Sequence, residues 1–113
     1  MGTQNKNSGL AKWHKIVSVD IDGYIAEKMP SKRGEFIREN FDEFIPIPSM
    51  IERVNNLFRK RYVIIYHTAR HPRHYEQTFA WLLRQGCYFH ALRMGKLHAD
   101  YYLDDKNVDI DEL

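Results

Sequence analysis

IVSVDIDGYI, residues 16–25, decides how the rest of the chain is read. Ile16, Val17 and Val19 form a short β-branched apolar run, the mark of a buried strand. The run ends at Asp20-Ile21-Asp22-Gly23, a cluster that turns a chain out of a sheet. Two carboxylates at i and i+2 beyond a buried strand emerge together at its carboxyl end, where open α/β sheets bind ligands. Gly23 suits a tight turn and would let backbone N–H groups approach an anion. An acidic surface turn is the plain alternative for this stretch alone.

Composition narrows the class. A chain of 113 residues supports one domain with a modest core. With 43% hydrophobic and 28% charged residues, it has the mix of an ordinary globular domain rather than a disordered one. A net charge of +2 creates no demand for a nucleic-acid partner. The single Cys87 cannot form an internal disulfide, which fits a cytoplasmic setting, and is expected to be buried filler. No apolar run approaches the roughly 18 residues that span a bilayer. Residues 1–12 read as a flexible polar lead-in without a signal-peptide core, and 13–113 as the domain.

Further along, 24–47 is charge-rich and punctuated by Pro30, Gly34 and Pro46, which suggests a flap over a site. The span 49–60 predicts a helix, with Met50, Ile51, Val54, Leu57 and Phe58 on one face and a Ser49/Glu52 capping box. YVIIY, 62–66, predicts a second buried strand, ending in His67-Thr68-Ala69-Arg70. A helix over 74–85 follows, with Tyr75, Phe79, Leu82 and Leu83 on one side and Gly86 as its stop. Trp81 reads as packing. YFHAL, 88–92, and 101–103 predict two more strands, the last closed by Asp104-Asp105. This β-α-β-α-β-β order with apolar strands argues a parallel sheet with helices on both faces.

In a parallel sheet the carboxyl ends of the strands share one edge. That edge gathers Asp20, Asp22, Thr68, Asp104 and Asp105, with Lys96 from a loop. Crowded carboxylates repel unless a cation neutralises them, and hard oxygen donors with water suit Mg²⁺. A carboxylate nucleophile, a hydroxyl, a lysine and a metal together make a site for a phosphoryl group.

The ordered set DxDG, Thr, Lys and DD resembles the haloacid-dehalogenase-like (HAD) phosphatases over 15–106. The stretches VDIDG, TAR and WLLRQGCYFHALRMGKLHADYYLDDK also look like a small capless subgroup of the kind found near polysaccharide biosynthesis genes. The resemblance implies a single-domain, three-layer Rossmann-like fold without a large cap. It also implies a Mg²⁺-dependent phosphomonoesterase for a small phosphorylated metabolite such as a sugar phosphate. By it Asp20 is the nucleophile, Asp22 the general acid and base, and Thr68 and Lys96 hold phosphoryl oxygens. Asp20, Asp104, Asp105 and the backbone carbonyl of Asp22 hold the metal. Gly23, Tyr24, Ala69 and Arg70 line the substrate side, Arg70 facing an anionic or polyol substrate.

Tyr24 departs from the Thr or Val usual in that family. A phenol there narrows the mouth of the site or stacks on substrate, and it motivates a non-catalytic scaffold as one alternative. A nucleotidase or polynucleotide-end phosphatase is another. An open, capless site also suggests cover from a second subunit in a homo-oligomer. A phospho-receiver domain is disfavoured, because its phosphorylated Asp belongs at a middle strand and the chain has His67-Thr68 there.

Overall fold

The computed structural model describes residues 15–27, 44–95, 99–104 and 109–113. The lead-in 1–12, the flap segment 28–43, Lys96 and Asp105 lie outside these. Four strands, β1 (Ile16–Asp20), β2 (Val63–Thr68), β3 (Ala91–Met94) and β4 (Tyr101–Leu103), form one parallel sheet in the order β3-β2-β1-β4. β1 is central and holds Val17, Ser18 and Val19 at full burial. A strand flanked on both edges and covered on its faces explains the apolar run that marked it. β2 alternates, with Ile64, Tyr66 and Thr68 buried and Val63, Ile65 and His67 half-buried.

Helix α1 (Pro48–Arg59) joins β1 to β2, and α2 (Tyr75–Arg84) joins β2 to β3. Both crossovers step the same way along the sheet, so right-handed connections lay both helices on one face. The described helices therefore form one of the two expected helical layers. Ile51, Val54 and Leu57 of α1 are buried as its periodicity requires, with Met50 and Phe58 packed at the margin. The expected capping box does not form. Ile47 is the N-cap without a side-chain bond, its own N–H held by the Ile25 carbonyl at 2.8 Å. Pro48, with φ already helical, starts the helix, and Glu52 pairs with Arg59 at 3.0 Å.

α2 follows a short 3-10 turn, Pro72–His74, and ends at Gly86 in the left-handed region at φ 74°, which glycine adopts without strain. Its buried residues are Thr78, Trp81 and Leu82, not the predicted Tyr75 and Leu83, which are exposed. Trp81 packs in the core and donates from Nε1 to the Phe44 carbonyl at 3.3 Å. β3 begins later than predicted. The His90 ring accepts the Ile64 N–H at 2.9 Å, so regular pairing with β2 starts at Ala91. Among the described residues no helix is long and apolar enough to cross a membrane.

Candidate active site

The turn that leaves β1 is built around one carbonyl. Ile21 O accepts N–H bonds from Tyr24, Ile25 and Ala26 at 3.2, 3.1 and 3.0 Å. Ile21 and Ile25 are fully buried and pin the turn to the core. Gly23 sits at φ 88°, where a side chain would be strained. Its N–H bonds to the Ala26 carbonyl at 2.8 Å, so that amide closes the turn rather than cradling an anion. Asp20 Oδ1 accepts the Ile21 N–H at 2.9 Å, which fixes the carboxylate at the strand's end.

Strand register places the other groups. β1 and β4 pair through Val19 and Leu103, so the next residues, Asp20 and Asp104, end neighbouring strands about 4.8 Å apart. On the other side Asp20 is in register with His67. Register partners in a parallel sheet share a face, so His67 lies on the Asp20 side. Ser18, two residues before Asp20, also shares it, and its hydroxyl lies 2.6 Å from His67 Nδ1. Burial pushes the His67 imidazole below its ordinary range, while the nearby Asp104 carboxylate pulls the other way.

Asp22 is held by an arginine. Arg70 Nε and Nη2 donate to its two oxygens at 3.0 and 2.6 Å, a bidentate fork. The Arg70 side chain is 1% exposed, against 25% for Asp22. Arg70 Nη1 donates to Thr78 Oγ1 at 3.1 Å, and the guanidinium lies 4.2 Å from the centre of the Phe44 ring. Arg70 is thus buried inside the protein rather than placed on the substrate side. Its backbone N–H donates to the Thr68 hydroxyl at 3.1 Å, which ties the end of β2 to the same cluster.

Thr68 closes β2 and is buried, while Ala69, the next residue, is exposed. The Gly95 N–H bonds to the Thr68 carbonyl at 2.8 Å, so the chain just before Lys96 is anchored at this edge. Tyr24 is half-buried against the core. Burial raises its phenol above the ordinary range, with Arg53 opposing and Asp109 and Asp104 adding to the rise. Among the described residues no group of three or more His, Cys, Asp or Glu side chains gathers as a metal cage. Two strand-end carboxylates nevertheless fit Mg²⁺, which takes one or two carboxylates and completes its shell with water and phosphate oxygens.

Ser18, Thr78 and Phe44 are contributors that the linear pattern conceals. Ser18 sits inside an apolar run, yet it has the parity of Asp20. Thr78 lies at helical spacing from Trp81 and Leu82, on the buried face.

Comparison with known proteins follows this geometry. No family model matches the chain. A Bacillus cereus protein named "Putative nucleotidase" is 29% identical, covering 96% of this chain and 67% of its own. A conserved protein of Bacteroides thetaiotaomicron superposes at TM-score 0.61 with 22% identity, over 87% of this chain and 84% of that one. A D,D-heptose 1,7-bisphosphate phosphatase from B. bronchiseptica, solved with magnesium and phosphate, superposes at TM-score 0.50 with 16% identity. That match covers 76% of this chain and 52% of the phosphatase.

Proposed function

Starting from a haloacid-dehalogenase-like α/β fold, we propose that this chain hydrolyses phosphate monoesters through an aspartyl-phosphate on Asp20. The observation that supports the reading is that Asp20, Thr68 and Asp104 lie at the ends of adjacent strands along one edge of a parallel sheet, with the forked Asp22 in the turn after β1. In the first step an Asp20 oxygen bonds to phosphorus as the ester P–O bond breaks, and Asp22 gives a proton to the departing alkoxide. In the second, water attacks phosphorus while Asp22 takes its proton, and the P–O bond to Asp20 breaks to release phosphate. Thr68 accepts the Arg70 amide through its oxygen, leaving its own hydrogen for a phosphoryl oxygen. Lys96 takes a phosphoryl contact by resemblance.

Asp20 and Asp104, with Asp105 and the Asp22 carbonyl, are the residues that would hold Mg²⁺. When bound, the ion supplies positive charge that offsets the phosphate dianion against the carboxylates. Spontaneous hydrolysis of phosphate monoesters is slow enough to need up to about 10²¹-fold acceleration, so positioned charge must carry most of the catalysis.

Two substrate classes have support. The name of the Bacillus relative points to a nucleotide, and that of the heptose bisphosphate phosphatase to a sugar phosphate. The nucleotide reading is favoured, because that alignment spans 96% of the chain at the higher identity. A panel of nucleoside monophosphates, sugar phosphates and p-nitrophenyl phosphate tests it, with Mg²⁺ or with EDTA. Expected is phosphate release that EDTA abolishes and that Asp20→Asn lowers on the order of 10³-fold or more. Release from no member in the presence of Mg²⁺ would overturn the reading.

A further inference from the structure

Arg70 makes several directed contacts with protein groups beside the candidate site. Its guanidinium reaches Asp22 through two N–H groups, Thr78 through a third, and the face of Phe44. These partners come from three separate places, the turn after β1, helix α2 and the segment before α1, while Arg70 itself lies in the loop after β2. We propose that Arg70 is a positioning residue that aims the Asp22 carboxylate, and that Thr78 in turn holds Arg70. The proposal rests on the phosphomonoesterase reading and adds to it the device that orients its acid and base.

The terminal torsion of an aspartate is broad, so a partly exposed Asp22 left alone would sample many carboxylate orientations. Two parallel N–H···O bonds from a planar guanidinium fix the carboxylate plane. Each carboxylate oxygen has two lone pairs, so an oxygen held in the fork can still exchange a proton with a leaving group or water. Lysine cannot reproduce this, because its ammonium is a point charge with no planar fork. The Thr78 hydroxyl and the Phe44 ring keep the guanidinium from rotating away. A residue on α2 that touches no reacting atom thereby sets the direction of proton transfer.

Leaving-group dependence separates this role from substrate binding and from general support of the fold. An alkyl phosphate needs protonation of its departing oxygen, whereas p-nitrophenolate leaves readily without it. The kcat/KM for each ester reports the step in which the ester bond breaks. With Arg70→Lys, kcat/KM for an alkyl phosphate is expected to fall about 10- to 100-fold, the scale of a misplaced catalytic group. The fall for p-nitrophenyl phosphate should stay within about 3-fold. Thr78→Val, nearly isosteric and so the safer variant for folding, should show the same asymmetry at about 2- to 5-fold. In the Asp22→Asn background either substitution should change the residual rate by less than about 2-fold. Equal falls for the two esters, or undiminished effects in the Asp22→Asn background, would overturn the positioning role alone. Absence of turnover of both esters by the unsubstituted protein would overturn the role and the phosphomonoesterase reading together.

Discussion

The two described helices have similar lengths and similar apolar faces, yet they serve the molecule differently. α1 buries Ile51, Val54 and Leu57, and its one buried polar side chain, Asn55, satisfies backbone groups. Asn55 donates to the Gly86 carbonyl at 2.9 Å and accepts the Tyr88 N–H at 2.8 Å, stapling the turn after α2. α2 buries Trp81 and Leu82, but its buried hydroxyl, Thr78, supports a charged side chain that reaches the candidate site. The lesson is that a buried polar residue on a helix can belong either to the scaffold or to the chemistry, and only its partner tells which.

Substitutions along the two helices should separate these roles. Leu57→Ala on α1 is expected to lower unfolding free energy by about 2–5 kcal/mol in a denaturant titration. It should leave the alkyl-to-aryl ratio of kcat/KM unchanged in the folded protein. A shifted ratio would erase the distinction between the helices.

Alkaline pH probes the apolar layer beside them. Burial pushes the Cys87 thiol up to about 11 from an ordinary 9.0, and burial also raises the Tyr66 phenol. The Tyr66 hydroxyl has no hydrogen-bond partner of sound geometry among the described residues, the weakly bonding Cys87 thiol being its polar neighbour. Both groups keep their protons longer in the folded state, so the Cys87 contribution is full below pH 9 and is lost as pH rises through 9 to 11, while that of Tyr66 is full below pH 10 and declines only above it. The loss from Cys87 should amount to about 1–3 kcal/mol in unfolding measured across that window. Cys87→Ala should remove the onset near pH 9 and leave the Tyr66 onset above pH 10. An unchanged profile would place the thiol outside the apolar layer. Smallest of all, Leu83→Lys on the exposed side of α2 should move stability by no more than about 0.5 kcal/mol, measured the same way.

Much of the fold could be read from the sequence because its strongest signals are local. Val17 and Val19 mark the central strand, and Ile51, Val54 and Leu57 recur at helical spacing. Asp20, Thr68 and Asp104 fall at strand ends as parallel topology requires. Several of the differences come from side chains satisfying distant backbone or charge. The start of β3 depends on His90, 26 residues from the Ile64 amide that it accepts. The buried face of α2 runs through Thr78, Trp81 and Leu82, with Thr78 accepting from the Arg70 guanidinium, and it leaves Leu83 exposed. Arg70 was legible as important and misassigned in direction, since a basic residue beside a phosphate-type site reads alike whether it faces ligand or carboxylate. Gly23 kept its predicted turn, and its own N–H closes that turn on the Ala26 carbonyl.

The central claim is that a substrate phosphorus becomes bonded to Asp20. Its most direct test is to quench the protein during turnover of p-nitrophenyl phosphate with Mg²⁺ and reduce the acyl phosphate with borohydride. Peptide mass spectrometry then locates the change. Conversion of Asp20 to homoserine, absent without substrate and absent in Asp20→Asn, is the expected result. Sustained phosphate release with Asp20 unmodified, or with the modification at another carboxylate, would contradict it.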